Sequence, residues 1–560
     1  MKIITFLRRE LTLSFRLLAL IAGISGLSCA LILAVINKAA EQANENVLSF
    51  VPVFITLVTA YIFSQRYLLL TTANHIEEAL HRIRVRIVAK IQDAELLTLE
   101  RIGQTEIYTG ITKELQSISR ASLVMVLMVQ SLILMFFALI YIAIQSLLAL
   151  ILYAGLMTMI GIFSARRYKR VAASIHDSLV QENVLLEATE HLLHGFKEVK
   201  MSEARRTDLN RHITEASHSA VDLIAESNAL SAGLNILAQT SLYLSLAVLV
   251  FILPAIISID NRELVKLTSA VLFLVAPLVS MLAGMQMYTG ANVSAERIDQ
   301  LEAAIDRHVR PMAKRRGDDL VMRDAPFRDI AFQDVQFDYV DPRGGVTFRL
   351  GPLNLVITSG ETLFISGGNG SGKSTFLRLL TSLYFPTRGT VQVDGQRLSE
   401  SNAAAYRELF GVIFYDYHLF DRLYGLRHID ENQVDTLLQR FRLADKTRFK
   451  GDRFETLDLS TGQRRRLALV VHYLEDKPIC VFDEWAAEQD PDFRRYFYTC
   501  ILPELKAQGK TVIAVTHDDR YYDLDYVDRI IRFEEGQVVM GAQRERERWR
   551  QRSGSGHPDD

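Results

Sequence analysis

The stretch Gly367-Gly368-Asn369-Gly370-Ser371-Gly372-Lys373-Ser374 decides the reading of this chain. It matches G-x-x-x-x-G-K-S/T at every fixed position. Glu361 to Ser366 before it reads as a strand, and Thr375 to Leu383 after it as an amphipathic helix. That context separates it from a glycine-rich turn that matches by accident. Glycine lets backbone N–H groups approach phosphate oxygens, and the start of the following helix adds partial positive charge. Gly367 and the run from Asn369 to Thr375 are therefore expected to form a cradle for nucleotide phosphates. Within it Lys373 reaches the β and γ phosphates, and Ser374 offers a hydroxyl to Mg²⁺.

A second motif lies downstream. PICVFDE (478–484) is an apolar strand that ends in two carboxylates. Asp483 suits a ligand of Mg²⁺, and Glu484 suits the polarisation of an attacking water. Strands that end in acidic residues are common. Beside a phosphate loop, this one points to hydrolysis of the nucleotide.

The chain has 560 residues, and 63 Lys and Arg balance 65 Asp and Glu. That length implies at least two domains. The balance offers no basic surface for nucleic acid, so none is expected as a partner. Cys29, Cys480 and Cys500 are too few and too scattered for a disulfide framework or a metal site. The mean hydropathy of +0.12 is high for so charged a chain, and the excess lies in the N-terminal half.

Six apolar stretches there have membrane length: Leu17 to Ile36, Val47 to Gln65, Ala121 to Ile144, Leu147 to Ala165, Ala232 to Ser258 and Leu267 to Met287. Pro52, Pro254 and Pro277 fall within them, which helix bundles in lipid tolerate. The run after MKIITFLRRE is long and five more follow, which favours an uncleaved first helix over a signal peptide. The segments 66–120 and 166–230 are rich in Arg and Lys, from Arg66 to Arg120 and from Arg166 to Arg211, and the other connections are short and poor in them. The positive-inside rule places both long segments and both termini in the cytoplasm. Ile83, Ile87, Ile91 and Ala94 share one helical face, so the long segments read as continuations of the membrane helices. Gln130, Asn235 and Gln239 are polar groups within spans, suited to helix–helix hydrogen bonds or to substrate contact.

The division that follows is a membrane domain over 1–295, a linker over 296–327 broken at Pro311 and Gly317, a nucleotide domain over 328–545, and a disordered tail over 546–560. Short β-rich runs alternate with helical patterns in the third part, which predicts an α/β domain with a largely parallel sheet.

Leu459-Ser460-Thr461-Gly462-Gln463 resembles the LSGGQ signature of ABC transporters, and it opens the helical run from Arg464 to His472 as in that family. The resemblance implies that Ser460, Thr461, Gly462 and Gln463 bind the γ-phosphate of ATP held by an opposite subunit. His517, after the strand Thr511 to Thr516, matches the family's switch histidine beside the γ-phosphate. Asp490, in Ala487-Glu488-Gln489-Asp490, matches the aspartate of the D-loop, and Tyr339 matches the aromatic that stacks on adenine, with Phe337 and Phe348 as nearby alternatives. The family's fold would be six transmembrane helices in a type-I-like exporter arrangement with one cytoplasmic P-loop ATPase domain. One such domain per chain implies a homodimer embedded in membrane lipid. Glu190 to Met201 is then a candidate coupling segment, or a solvated charged helix.

Two features depart from the family pattern. Tyr415 stands where a glutamine is usual, with Asp416 beside it as a partial substitute, and the segment from Tyr415 to Leu459 is short for an exporter. Together with Asp483-Glu-Trp-Ala-Ala-Glu-Gln-Asp-Pro491 they resemble the branch that exports cyclic peptides, syringomycin-type lipopeptides and pyoverdine-type siderophore precursors. The implied function is ATP-driven export of a peptide-like natural product across a bacterial inner membrane. A lipid or drug exporter on the same scaffold is the alternative. A non-transporting regulatory ATPase is disfavoured, because Lys373, Asp483, Glu484 and His517 are all present.

Overall fold

The computed structural model describes residues 2–10, 15–42, 47–257, 259–307, 327–341, 343–426 and 429–539. Contacts divide the chain into two units, Met1–Ala94 with Thr98–His308, and Glu95–Leu97 with Val309–Asp560. Most of the stretch read as a linker, the last residues of 328–545 and the tail 546–560 lie outside the described residues.

The N-terminal half is helical: α1 (Lys2–Glu10), α2 (Phe15–Glu41), α3 (Val51–Asp93), α4 (Leu96–Ile102), α5 (Gln104–Thr109), α6 (Leu115–Gln145), α7 (Leu147–His194), α8 (Phe196–Lys200), α9 (Glu203–Ala247), α10 (Leu253–Ile256), α11 (Asn261–Phe273) and α12 (Val275–Asp306). Among the described residues, Arg16–Glu41, Val47–Asp93, Gln104–Gln145, Glu203–Ile256 and Asn261–Met281 are helical, long and apolar enough to cross a membrane. The remaining apolar stretch, Leu147–Phe163, is a shorter apolar helix and opens α7.

Local chemistry sets these boundaries. Pro52 sits in the first turn of α3, where a missing N–H costs nothing. Ser146 is extended and caps α7, its hydroxyl accepting from the Ala149 amide at 3.3 Å. The helices α3, α7 and α9 continue unbroken past their apolar portions, and Ile83 and Ile87 are fully buried on one face of α3.

The sixth apolar stretch, within the span Asn261–Met281, is interrupted at Leu274, where α11 ends at Phe273 and α12 starts at Val275. The Pro277 ring would clash with the carbonyl of residue 273 in a continuous helix, so the ladder breaks there. The stretch from 296 is also helical as far as Asp306, because Ile298, Leu301 and Ile305 keep helical spacing and are buried.

Polar groups tie this bundle together. The buried Gln130 amide donates to Ser25 Oγ at 3.1 Å and to Gln65, joining α6 to α2 and α3. Asn235 and Gln239 are exposed on α9. At the polar ends of α1, α3 and α12, Arg86 bonds Glu10 at 2.9 Å and Glu302 at 3.0 Å.

The second unit carries two main sheets. Its strands are β1 (Asp329–Val340), β2 (Val346–Thr358), β3 (Thr362–Gly367), β4 (Arg388–Val393), β5 (Gln396–Arg397), β6 (Phe410–Ile413), β7 (Phe449–Lys450), β8 (Arg453–Phe454), β9 (Ile479–Asp483), β10 (Thr511–Val515), β11 (Arg529–Glu534) and β12 (Gln537–Val539). The six-stranded sheet runs β12-β11-β3-β10-β9-β6 and is parallel except at β12. A separate antiparallel sheet runs β2-β1-β4-β5, which the sequence pattern did not anticipate. The helices are α13 (Lys373–Leu380), α14 (Ala403–Arg407), α15 (Glu431–Arg440), α16 (Thr461–Glu475), α17 (Pro491–Tyr496) and α18 (Leu502–Ala507). Buried residues of β3, β9 and β10 form the middle, as expected of strands covered on both faces.

His472 on α16 is buried against Phe482, with ring centroids 5.0 Å apart. Burial, with a smaller push from Lys510, pulls its pKa from the usual 6.5 to about 3. The folded chain keeps this imidazole neutral while the unfolded chain protonates it below about 6.5. Its contribution is therefore complete above that pH and is lost as pH falls from 6.5 to about 3. We expect unfolding stability to drop by about 1 kcal/mol per pH unit in this window, a slope that His472→Leu removes. Urea unfolding followed by fluorescence of the buried Trp485 measures it.

Candidate functional site

β3 and β9 flank β10, and both phosphate-related motifs sit at their carboxyl ends, Gly367 closing β3 and Asp483 closing β9. In parallel sheets that edge is where ligands bind. Two glycines make the turn from β3 into α13 feasible. Gly367 has φ +143°, and a Cβ there would lie 2.3 Å from the Phe533 carbonyl oxygen. Gly372 has φ +104°, and a Cβ there would lie 2.7 Å from Leu350 Cδ1.

The turn opens onto a cavity of about 580 Å³ lined by Asn369 through Thr375, Tyr339, Phe348, Tyr415, Asp483 and Glu484. Lys373 is buried, its Nζ donating to the carbonyls of Gly367 at 2.9 Å and Gly368 at 3.0 Å. Ser371 Oγ is buried and has no hydrogen-bond partner among the described residues. An orphan hydroxyl, a buried ammonium and the amino end of α13 converge on one space, and that set fits phosphate oxygens.

Asp483 is buried opposite the loop, and its Oδ2 accepts from the Tyr415 amide at 3.4 Å. Burial, aided by the charge of Glu484, raises its pKa to about 6, against the pull of Tyr415 N–H and Lys373. A buried carboxylate of this kind suits a divalent cation, with Ser374 lining the same cavity as a second oxygen donor. Among the described residues no three His, Cys, Asp or Glu side chains form a metal cluster. A Mg²⁺ held mainly by phosphate and water needs none.

Glu484 has a left-handed backbone, φ 49° and ψ 33°. Its Oε1 lies 3.0 Å from His517 Nε2 and 3.8 Å from Lys373 Nζ. The carboxylate thus stands between the end of β10 and the glycine-rich turn, an arrangement that suits a proton acceptor.

Tyr339 lines the cavity, its hydroxyl 3.5 Å from Thr375 Oγ1, and Phe348 lines it too. Phe337 does not: it is core, stacked on Tyr384 with centroids 4.9 Å apart. Tyr415 lines the cavity in place of the expected glutamine, while Asp416 is exposed and outside the lining.

Ser460, Thr461, Gly462 and Gln463 lie away from this cavity, at the start of α16. Ser460 and Gln463 form a reciprocal capping box there. Asp490 is also outside the lining: it caps α17 by accepting from Phe493 N at 2.9 Å and pairs with Arg466. The structure therefore brings the phosphate loop, Asp483, Glu484, His517 and Tyr339 together, and sets the signature apart from them. Arg465 was not foreseen. Its signal was a helical face shared with Ala468, Leu469 and His472, buried like them.

A family model described as ABC transporter matches residues 350–487. The ATP-binding protein SyrD of Pseudomonas syringae pv. syringae is 32% identical over 476 residues, 82% of each chain. An ATP-dependent lipid A-core flippase of Burkholderia orbicola is 28% identical over 398 residues, 67% of this chain and 62% of that one. A solved structure, of a bacterial Atm1-family ABC exporter with ATP bound, covers 99% of both chains at TM-score 0.71 and 19% identity, a likeness of fold.

Proposed function

The chain belongs to the ABC transporter family, and on that premise we propose that it exports a peptide-like natural product as a homodimer, using ATP bound at the Gly367–Ser374 loop. That it is an exporter with an ATPase domain follows from the family and the fold. The cargo, the dimer, the roles of single residues and residence in a bacterial inner membrane are the proposal.

One observation carries the chemistry: Glu484 Oε1 stands 3.0 Å from His517 and 3.8 Å from Lys373, at the wall of the phosphate cavity. Lys373 and the amides that open α13 hold the β and γ phosphates. Glu484 takes the proton of the attacking water as its oxygen bonds to the γ-phosphorus and the bond to ADP breaks. His517 orients Glu484. Asp483 and Ser374 would hold Mg²⁺, which neutralises phosphate charge when bound. Tyr339 would stack on adenine, with Phe348 beside it. We expect Tyr339→Ala to raise the KM for ATP about tenfold and Tyr339→Phe to leave it within about twofold, measured by phosphate release.

The signature Ser460–Gln463 lies away from the cavity of its own subunit, which supports completion of each site by the signature of a second copy. Peptide cargo rests on the features that resemble the cyclic-peptide branch: Tyr415, the short segment from Tyr415 to Leu459 and the run from Asp483 to Pro491. The flippase alignment favours lipid as the second reading. ATP-dependent transport into inverted vesicles separates them, with a cyclic lipopeptide, a siderophore precursor and a lipid A analogue offered in turn. Uptake of a peptide and not the lipid is expected. Uptake of the lipid alone overturns the peptide reading.

A further inference from the structure

We infer that Arg465 is a positioning residue for ATP hydrolysis, holding the strained backbone of Glu484 and linking it to the loop at Tyr415. The inference rests on the proposed role of Glu484 as the base.

A side chain in the left-handed region is disfavoured, so Glu484 keeps φ 49° only because its surroundings impose it. Its amide donates to the Val515 carbonyl at 3.1 Å. Its carbonyl accepts from the Ala487 amide at 3.2 Å and from the Arg465 guanidinium. The next residue is tied to the same arginine, because the Trp485 indole donates to the Arg465 carbonyl at 3.0 Å. Side chain and backbone of Arg465 thus grip two consecutive residues.

The guanidinium has two further neighbours. Glu488 Oε2 is 3.1 Å from its Nε, and the Tyr415 ring centroid is 5.3 Å from its central carbon. Tyr415 in turn donates its amide to Asp483. One buried cation, with 2% exposure, therefore joins the loop after β6, the end of β9 and the turn at Glu488. It does so from the second turn of α16, the helix that the signature opens. Arg465 is not among the residues lining the nucleotide cavity. Its loss should therefore reach the chemistry through Glu484 and leave nucleotide affinity alone.

Steady-state ATPase of the full-length protein in nanodiscs tests this. Arg465→Met is expected to lower kcat by about tenfold or more, with the KM for ATP within about twofold. Arg465→Lys should recover part of the loss, since its ammonium can still donate to the Glu484 carbonyl. In a Glu484→Gln background Arg465→Met should change the residual rate less than about twofold. Unchanged kcat in Arg465→Met overturns the inference, as does a KM that moves with kcat, or a full additional loss in the Glu484→Gln background. Should Arg465→Met not fold, Arg465→Gln takes its place, with the same results expected and the same results overturning the inference. Full turnover in Glu484→Gln alone would overturn the reading of Glu484 itself, a result visible without any change at Arg465.

Discussion

Replacing Glu484 by Gln lowers ATP turnover by about 100- to 1000-fold and leaves ATP binding within a few-fold of the wild type. The amide keeps the shape of the side chain and the left-handed backbone, and it cannot take a proton from water. Its nearest partners are His517 at 3.0 Å and Lys373 at 3.8 Å. Loss of the carboxylate leaves Lys373 with its bonds to the Gly367 and Gly368 carbonyls, so the phosphate cradle stays assembled. Phosphate release and equilibrium binding of a fluorescent ATP analogue read the two quantities apart. Retained turnover would mean that the base is another residue.

Lys373→Ala gives the opposite division, because binding itself fails. Among the described residues that line the cavity Lys373 is the one cation, and it is buried at the amino end of α13. Charge-assisted hydrogen bonds to phosphate are among the strong ones, and a buried ammonium facing phosphate meets little screening. We expect the Kd for ATP to rise by about 10- to 100-fold, with turnover falling at cellular ATP concentrations. The two variants thus separate binding from chemistry at neighbouring side chains. A Lys373→Ala protein that binds ATP normally would show that the loop does not hold the nucleotide.

The turn from β3 into α13 was legible because its determinants are local: glycines with positive φ, one lysine and a helix start sit within eight consecutive letters. The apolar stretches were legible for a similar reason, since lipid imposes a length that hydropathy displays. Pro277 was visible in the sequence, but its clash with the carbonyl of residue 273 appears only when the turn is built, so one stretch is interrupted at Leu274 between α11 and α12. The helical spacing of Ile298, Leu301 and Ile305 was present and was outweighed by the charged residues around it. Arg465 was hidden in the run Arg464-Arg465-Arg466, where three identical letters face three different environments. The middle one is buried under Glu484 and Tyr415, while Arg464 is exposed and Arg466 lies over the Phe493 ring at 4.0 Å. The pairing of Glu484 with His517 needed β9 and β10 side by side, which no spacing in the sequence fixes.

We propose that the phosphate loop of one subunit works with the signature of another. Co-expression of two differently tagged subunits, one Lys373→Ala and one Gly462→Asp, followed by tandem purification of the mixed dimer, tests it most directly. Each variant by itself has every site broken. If sites are shared between subunits, the mixed dimer carries one site with an intact loop and an intact signature, and ATP turnover returns to as much as roughly half the wild-type rate. If each site lies within one chain, every site in the mixed dimer keeps one lesion. Turnover as low as in the two parents would then rule out shared sites.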